Sequence, residues 1–211
     1  WGGRIYGENG DDTITLLGQG GNQAEIFGGD GNDIIDLSER LKTDDYYWLA
    51  SYGGSGDDNL IGNDYDDHFY GGSGNDTINV GDGNNTVEGG SGDDYLESGS
   101  GIDNLSGDEG DDIIKAGGGN DIIYGGDRNS AKGDDGSIDT AVFSGSSTDY
   151  KLSRATDTNF DYVYYIQDKR DGSPDGLDTL YDIDLLRFSN EDLSIISCLL
   201  YTSPSPRDSS Q

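Results

Sequence analysis

Between residues 53 and 124 an apolar side chain returns at every ninth position, and nearly everything between is glycine, carboxylate or small polar. The apolar series is Leu60, Phe69, Ile78, Val87, Leu96, Leu105, Ile114 and Ile123, and Ile14 and Ile35 hold the same phase upstream. In this stretch the gap-free units are GGSGDDNLI, GNDYDDHFY, GGSGNDTIN, VGDGNNTVE, GGSGDDYLE, SGSGIDNLS, GDEGDDIIK and AGGGNDIIY. GENGDDTIT (7–15) and GGDGNDIID (28–36) share the frame, and GQGGNQAEIF (18–27) fits it with one extra residue, which puts Gln23 at position six. One inward residue flanked by polar neighbours is the pattern of a strand of about three residues. The glycine-rich remainder is a turn. Two such units close one coil, so stacking predicts an all-β parallel roll with two sheets and a file of aliphatics between them.

Outside the array the pattern changes. Residues 37–52 interrupt it and gather Tyr46, Tyr47, Trp48 and Tyr52 beside Arg40 and Lys42. The sharper reading is an aromatic platform for a glycan or cell-surface partner. The favoured, plainer one is an insertion loop or short helix covering the end of the roll. From Gly125 the register fails, and Asp139 is a candidate last, distorted ligand. YKLS (150–153), YVYYIQD (162–168) and LDTLYDIDLLRFSNEDLSII (177–196) are β-branched and aromatic runs separated by turn signals. They predict a small antiparallel β module capping the roll's open end. The expected division is a roll over 1–136 with the insertion 37–52, a capping module over 137–196, and a tail over 197–211. That tail holds the single Cys and two of the three Pro. It reads as disordered, or as read-through into a sequencing adapter.

Composition sharpens this. The 211 residues carry a formal charge of −31 with 31% apolar residues and 36 Gly. Such a chain cannot build one large core, and the regular apolar series argues against disorder. Acid in this excess excludes nucleic acid as a partner and points to cations. One Cys excludes an internal disulfide framework. With no Met, the chain reads as beginning inside a longer protein. No apolar run is long enough for a transmembrane segment.

The cation chemistry sits at fixed positions. Position six is a carboxylate at Asp12, Asp33, Asp58, Asp67, Asp76, Asp94, Asp103, Asp112 and Asp121, with Asn85 a departure. Glycines at positions one, two and four permit positive φ and close backbone approach, leaving carbonyls free for a ligand. Carboxylates and carbonyls are hard oxygen donors suited to several Ca²⁺ ions, and no His/Cys cluster suggests zinc or copper.

The units resemble the repeats-in-toxin (RTX) family, the haemolysin-type calcium-binding nonapeptides. The resemblance implies a parallel β-roll with each ion between successive turns on one edge. The position-six Asp of both turns and main-chain oxygens of the glycine-rich segment would hold it. The segments carrying those oxygens include Gly10, Gly28, Gly29, Gly31, Gly53, Gly54, Gly56, Gly71, Gly72, Gly74, Gly81 and Gly83. Further along they include Gly89, Gly90, Gly92, Gly99, Gly101, Gly107, Gly110, Gly117 and Gly119. GGSG recurs at 53, 71 and 89, with GDEG at 107, and this series falls on one edge. That edge, through Asp58, Asp76, Asp94 and Asp112, is expected to be the fuller. The other, with Asn85 for Asp and Tyr65 for Gly, should have a weak or empty site.

The resemblance further implies a secreted, extracellular, Gram-negative bacterial protein exported by type I secretion machinery. DTAVFSG…DY…DGLDTL…LRF is similar to the segment that follows such arrays. The chain itself reads as no enzyme. His68 stands alone at position seven, and HExxH, Gly-x-Ser-x-Gly and phosphate-loop motifs are absent. Calcium-driven folding after export is the leading reading. The alternatives are an accessory region of an extracellular enzyme (a serralysin-like protease or an alginate-epimerase-like enzyme) or part of a large adhesin.

Overall fold

The computed structural model describes residues 3–17, 23–39, 48–126, 136–156 and 163–195. In it the nine-residue rhythm becomes two facing sheets, one of ten strands and one of nine. Successive strands of the roll alternate between the sheets and pair in parallel with the strand one coil away. In the larger sheet the inward file runs Ile5, Ile26, Ser51, Phe69, Val87, Leu105, Ile123, Leu180. In the smaller it runs Ile14, Ile35, Leu60, Ile78, Leu96, Ile114, Ala141, Leu186. From Ile26 and Ile35 onward both files are fully buried. The core is thus as thin as the composition requires.

Strand lengths depart from the expected three residues, most in the larger sheet. Asn59–Ile61 and Ile113–Lys115 keep it, but His68–Ser73, Thr86–Ser91 and Asn104–Glu109 run for six. The larger-sheet strands continue into positions one to three of the next unit. A glycine there, with no side chain to place, lets the ladder extend into the turn.

Residues 48–52 are not a loop beside the roll. They open the strand Trp48–Ser55, which fills one rung between Gln23–Asp30 and His68–Ser73. The register also corrects the upstream unit: Ala24, not Gln23, stands at position six, aligned with Leu49. Of the expected insertion 37–52, residues 40–47, among them Tyr46 and Tyr47, lie outside the described residues.

Position nine of the larger sheet faces outward. Tyr6, Phe27, Tyr52 and Tyr70 stack there with ring centroids 5.0, 4.8 and 4.8 Å apart and nearly parallel planes. That spacing is the distance between neighbouring strands, so register alone builds the stack. The inner rings spend both faces on each other.

Both sheets cross the sequence boundary at 137. Thr140–Val142 and Leu185–Arg187 extend the smaller sheet in parallel, and Leu177–Tyr181 extends the larger. Only then do antiparallel strands close the end. Val163–Asp168 pairs with Leu177–Tyr181 and with Tyr150–Ala155, and Asp192–Ser194 pairs with Leu185–Arg187. Beneath them the rings of Phe143, Tyr150 and Phe188 form a small cluster. Arg170 is clamped there, bonding both oxygens of buried Asp168 through Nε and reaching Asp175, Tyr150 and Ser144 through one terminal nitrogen. Among the described residues no helix is long and apolar enough to cross a membrane.

Candidate metal centre

Each position-six Asp ends a turn at the rim of the roll, where its side chain reaches back to the preceding coil. Along the first edge these residues form a ladder. The backbone N–H of Asp12 donates to Oδ1 of Asp33 at 2.8 Å, Asp33 to Asp58 at 2.7 Å, and Asp58 to Asp76 at 2.8 Å. Asp76 donates to Asp94 at 2.7 Å, Asp94 to Asp112 at 2.8 Å, and Asp112 to Asp139 at 3.0 Å. Asp139 donates in turn to Asp184 at 3.2 Å. Asp139 is therefore in the column rather than a distorted remnant. Asp184, absent from the sequence reading, follows it.

The other oxygen decides what the ladder can do. Oδ2 of Asp33, Asp58, Asp76, Asp94 and Asp112 is buried and has no hydrogen-bond partner. Beside each, at position one, stands a glycine: Gly28, Gly53, Gly71, Gly89 or Gly107. A Cβ on any of the first four would lie inside 3.0 Å of both that Oδ2 and the carbonyl of the next coil's position-one residue. Two acceptor oxygens thus flank one point in each of these four coils. Two acceptors with no donor between them are an unfavourable pair, and a cation resolves it.

The glycines divide by role. Gly72 and Gly74, at positions two and four, have φ of +124° and +117°, a region L side chains rarely enter. Position one has ordinary φ, and its glycine is there for space. Asp108 and Glu8 occupy position two with φ of +75° and +79°.

Electrostatics agree with the geometry. Burial pushes Asp58 up to about 6, Asp76 and Asp94 up to about 7, and Asp112 up to about 8. The N–H each accepts offsets this in part, and neighbouring carboxylates add to it. Lys115 pairs with Glu97, Arg4 with Glu25 and Arg187 with Asp192, all away from the rim. Among the described residues no three His, Cys, Asp or Glu side chains gather into a metal-binding group. The donor set on offer is two carboxylates from consecutive coils plus main-chain oxygens, which suits a hard ion such as Ca²⁺.

The second edge is built differently. Its ladder runs Asp67, Asn85, Asp103, Asp121 and Asp178, each N–H donating to Oδ1 of the next at 2.7 to 3.0 Å. Position one is Leu37, Gly62, Val80, Ser98, Ala116, Phe143 and Phe188 along this corner. Its apolar members are buried and extend the core where the first edge has glycine. At Asn85 the amide Nδ2 donates to the carbonyls of Gly81 and Gly83 at 3.2 and 3.3 Å and to Ser98 Oγ at 3.2 Å. Ser98 Oγ passes its own proton to Asp103 Oδ2 at 2.7 Å. Gly99, Gly101, Gly117 and Gly119 form the neighbouring turns, where Ser100–Gly101 pairs with Gly118–Gly119.

A further ladder escaped the sequence reading. At position five the side chain accepts from the N–H of the next coil, opposite in sense to position six. Asn32 N–H donates to Asp11, Asp57 to Asn32, Asn75 to Asp57, Asp93 to Asn75 and Asp111 to Asp93. The recurrence of Asp or Asn at position five was the available signal. His68, expected to face solvent, is half-buried, and burial lowers its pKa.

The family model of the RTX calcium-binding nonapeptide repeat (4 copies) matches residues 4–22, 25–39, 52–87, 70–105 and 97–129, more than half of the chain. This chain belongs to the RTX calcium-binding nonapeptide repeat family. It is a calcium-binding β-roll, and the repeat is a structural module rather than a catalytic one. No curated protein matches it.

Proposed function

We propose that Ca²⁺ acts as the folding switch of this roll, and that the roll is the calcium-dependent part of a larger protein secreted by the type I route. The supporting observation is the row of buried Oδ2 atoms on the first edge without a donor, those of Asp33, Asp58, Asp76 and Asp94 each beside a carbonyl. Ions held by Asp33, Asp58, Asp76, Asp94 and Asp112 with the adjoining main-chain oxygens would supply the missing positive charge. Without them the folded state keeps carboxylates buried and unneutralised over a thin core. The ion's binding energy is then folding energy. A chain that stays open where free Ca²⁺ is scarce and closes where it reaches the ~mM range of extracellular modules suits export in an unfolded form.

On this reading the first edge carries most of the ions. Asn85 and Ser98 hold their coil together through an amide and a hydroxyl instead.

The test is calorimetric Ca²⁺ titration of the purified chain, followed by far-ultraviolet circular dichroism and small-angle scattering with and without chelator. The expected outcome is a β spectrum and compact dimensions only with calcium. A chain that keeps both after exhaustive chelation overturns the proposal.

A further inference from the structure

Segment 176–181, GLDTLY, lies beyond the matched repeats, yet it sits in the roll as a repeat would. Ile122, Ile123 and Tyr124 pair in parallel with Thr179, Leu180 and Tyr181, and the two tyrosine rings stack at 4.7 Å. Leu177 N–H donates to Asn120 Oδ1 at 2.9 Å, the position-five bond, and Asp121 N–H donates to Asp178 Oδ1 at 3.0 Å, the position-six bond. Asp178 is the carboxylate of the next coil on the second edge, delivered from 57 residues downstream.

Both carboxylates are almost completely buried, Asp121 at 1% and Asp178 at 2% exposure. Oδ2 of Asp121 has no hydrogen-bond partner. One coil earlier the same atom of Asp103 is satisfied by the Ser98 hydroxyl. At Asp121 the corresponding position is Ala116, which has no proton to give. The carbonyl of Pro174 lies against Gly118, and that of Gly119 against Gly176, so the two turns stack closely. The other charged groups acting on Asp178 are Asp175 and Asp168, both engaged by Arg170.

We propose that a divalent cation of the calcium class binds between Asp121 and Asp178 and bolts the carboxyl-terminal strands to the roll. The site rests on the calcium reading above but uses a residue that the repeat pattern does not mark. It makes docking of the 163–181 hairpin itself calcium-dependent.

Native mass spectrometry of the whole chain at saturating Ca²⁺ tests it. Asp178→Asn keeps the acceptor for Asp121 N–H and removes the charge. It should carry one ion fewer than wild type, while Asp171→Asn, at an exposed acid of the same segment, carries the full number. Equal counts for Asp178→Asn and wild type overturn the site and leave the calcium reading intact. A wild type with no bound ions overturns the calcium reading itself. Should Asp178→Asn fail to fold, lanthanide-soaked crystals of the wild type decide. An anomalous peak between the two carboxyls supports the site, and a bare pair beside filled neighbours overturns it.

Discussion

The backbone N–H of Asp76 donates to Oδ1 of Asp94, one coil on, at 2.7 Å, while Oδ2 of Asp94 is buried without a partner. One side chain thus has two unlike halves: one oxygen of the carboxylate ties coils together, and the other is buried without a donor. Asp94→Asn separates them. The amide oxygen still accepts from Asp76, and the amide nitrogen supplies a donor in place of the ion. We expect about two fewer ions by titration calorimetry, since in the proposed arrangement each position-six carboxylate would border two sites. At a hundredfold excess over the dissociation constant that removes about 2.7 kcal/mol of stabilisation per site. In chelator the variant should be at least as stable as wild type, read as its melting temperature.

Gly71→Ala tests the space at position one. Its Cβ would stand inside 3.0 Å of Asp76 Oδ2 and of the Gly89 carbonyl, both held by the framework. The expected cost is roughly 1–3 kcal/mol by chemical denaturation in Ca²⁺, with weaker calcium binding. Gly3→Ala, where a Cβ meets nothing within 4 Å, is the control and should be neutral.

Asn85→Asp removes the amide that bonds Gly81, Gly83 and Ser98. Without calcium this leaves buried acceptors unmet and adds a charge, costing roughly 1–3 kcal/mol. With calcium the new carboxylate completes the spacing used on the first edge. The gap in melting temperature between calcium and chelator should therefore widen relative to wild type.

The ion-free roll should be a creature of mild acid. Burial pushes Asp76, Asp94 and Asp121 up to about 7, and Asp112 and Asp178 up to about 8, well above the usual carboxylate range. Between those values the folded state binds more protons than the unfolded one, so stability falls as pH rises. It is fully present below the unfolded value and lost progressively as pH rises to the folded values of about 7 to about 8. Circular dichroism in chelator should show more β structure at pH 5 than at pH 8, and calcium affinity should rise over the same window as ions displace protons.

The roll was legible because its period is local: Leu60, Ile78 and Leu96 announce the buried file from spacing alone. Position-six carboxylates were legible for the same reason. Asp178 and Asp184 were not, because a long excursion separates them from the coil they complete. Only the short phrase Gly176-x-Asp178-x-Leu180 betrays the frame. The buried corner of Leu37, Val80, Ala116, Phe143 and Phe188 was also missed. Its members are scattered in sequence and align only once coils stack. Residues 48–52 misled because Ser51 takes an inward place normally held by an aliphatic side chain.

The hydrogen bonds that join coils mostly span eighteen residues and reach only the adjacent turn. Pulled from its ends, such a molecule has no interior to shear through. It would unspool, each loop of the helix paying out a contour of roughly 60 Å before the next one feels the load.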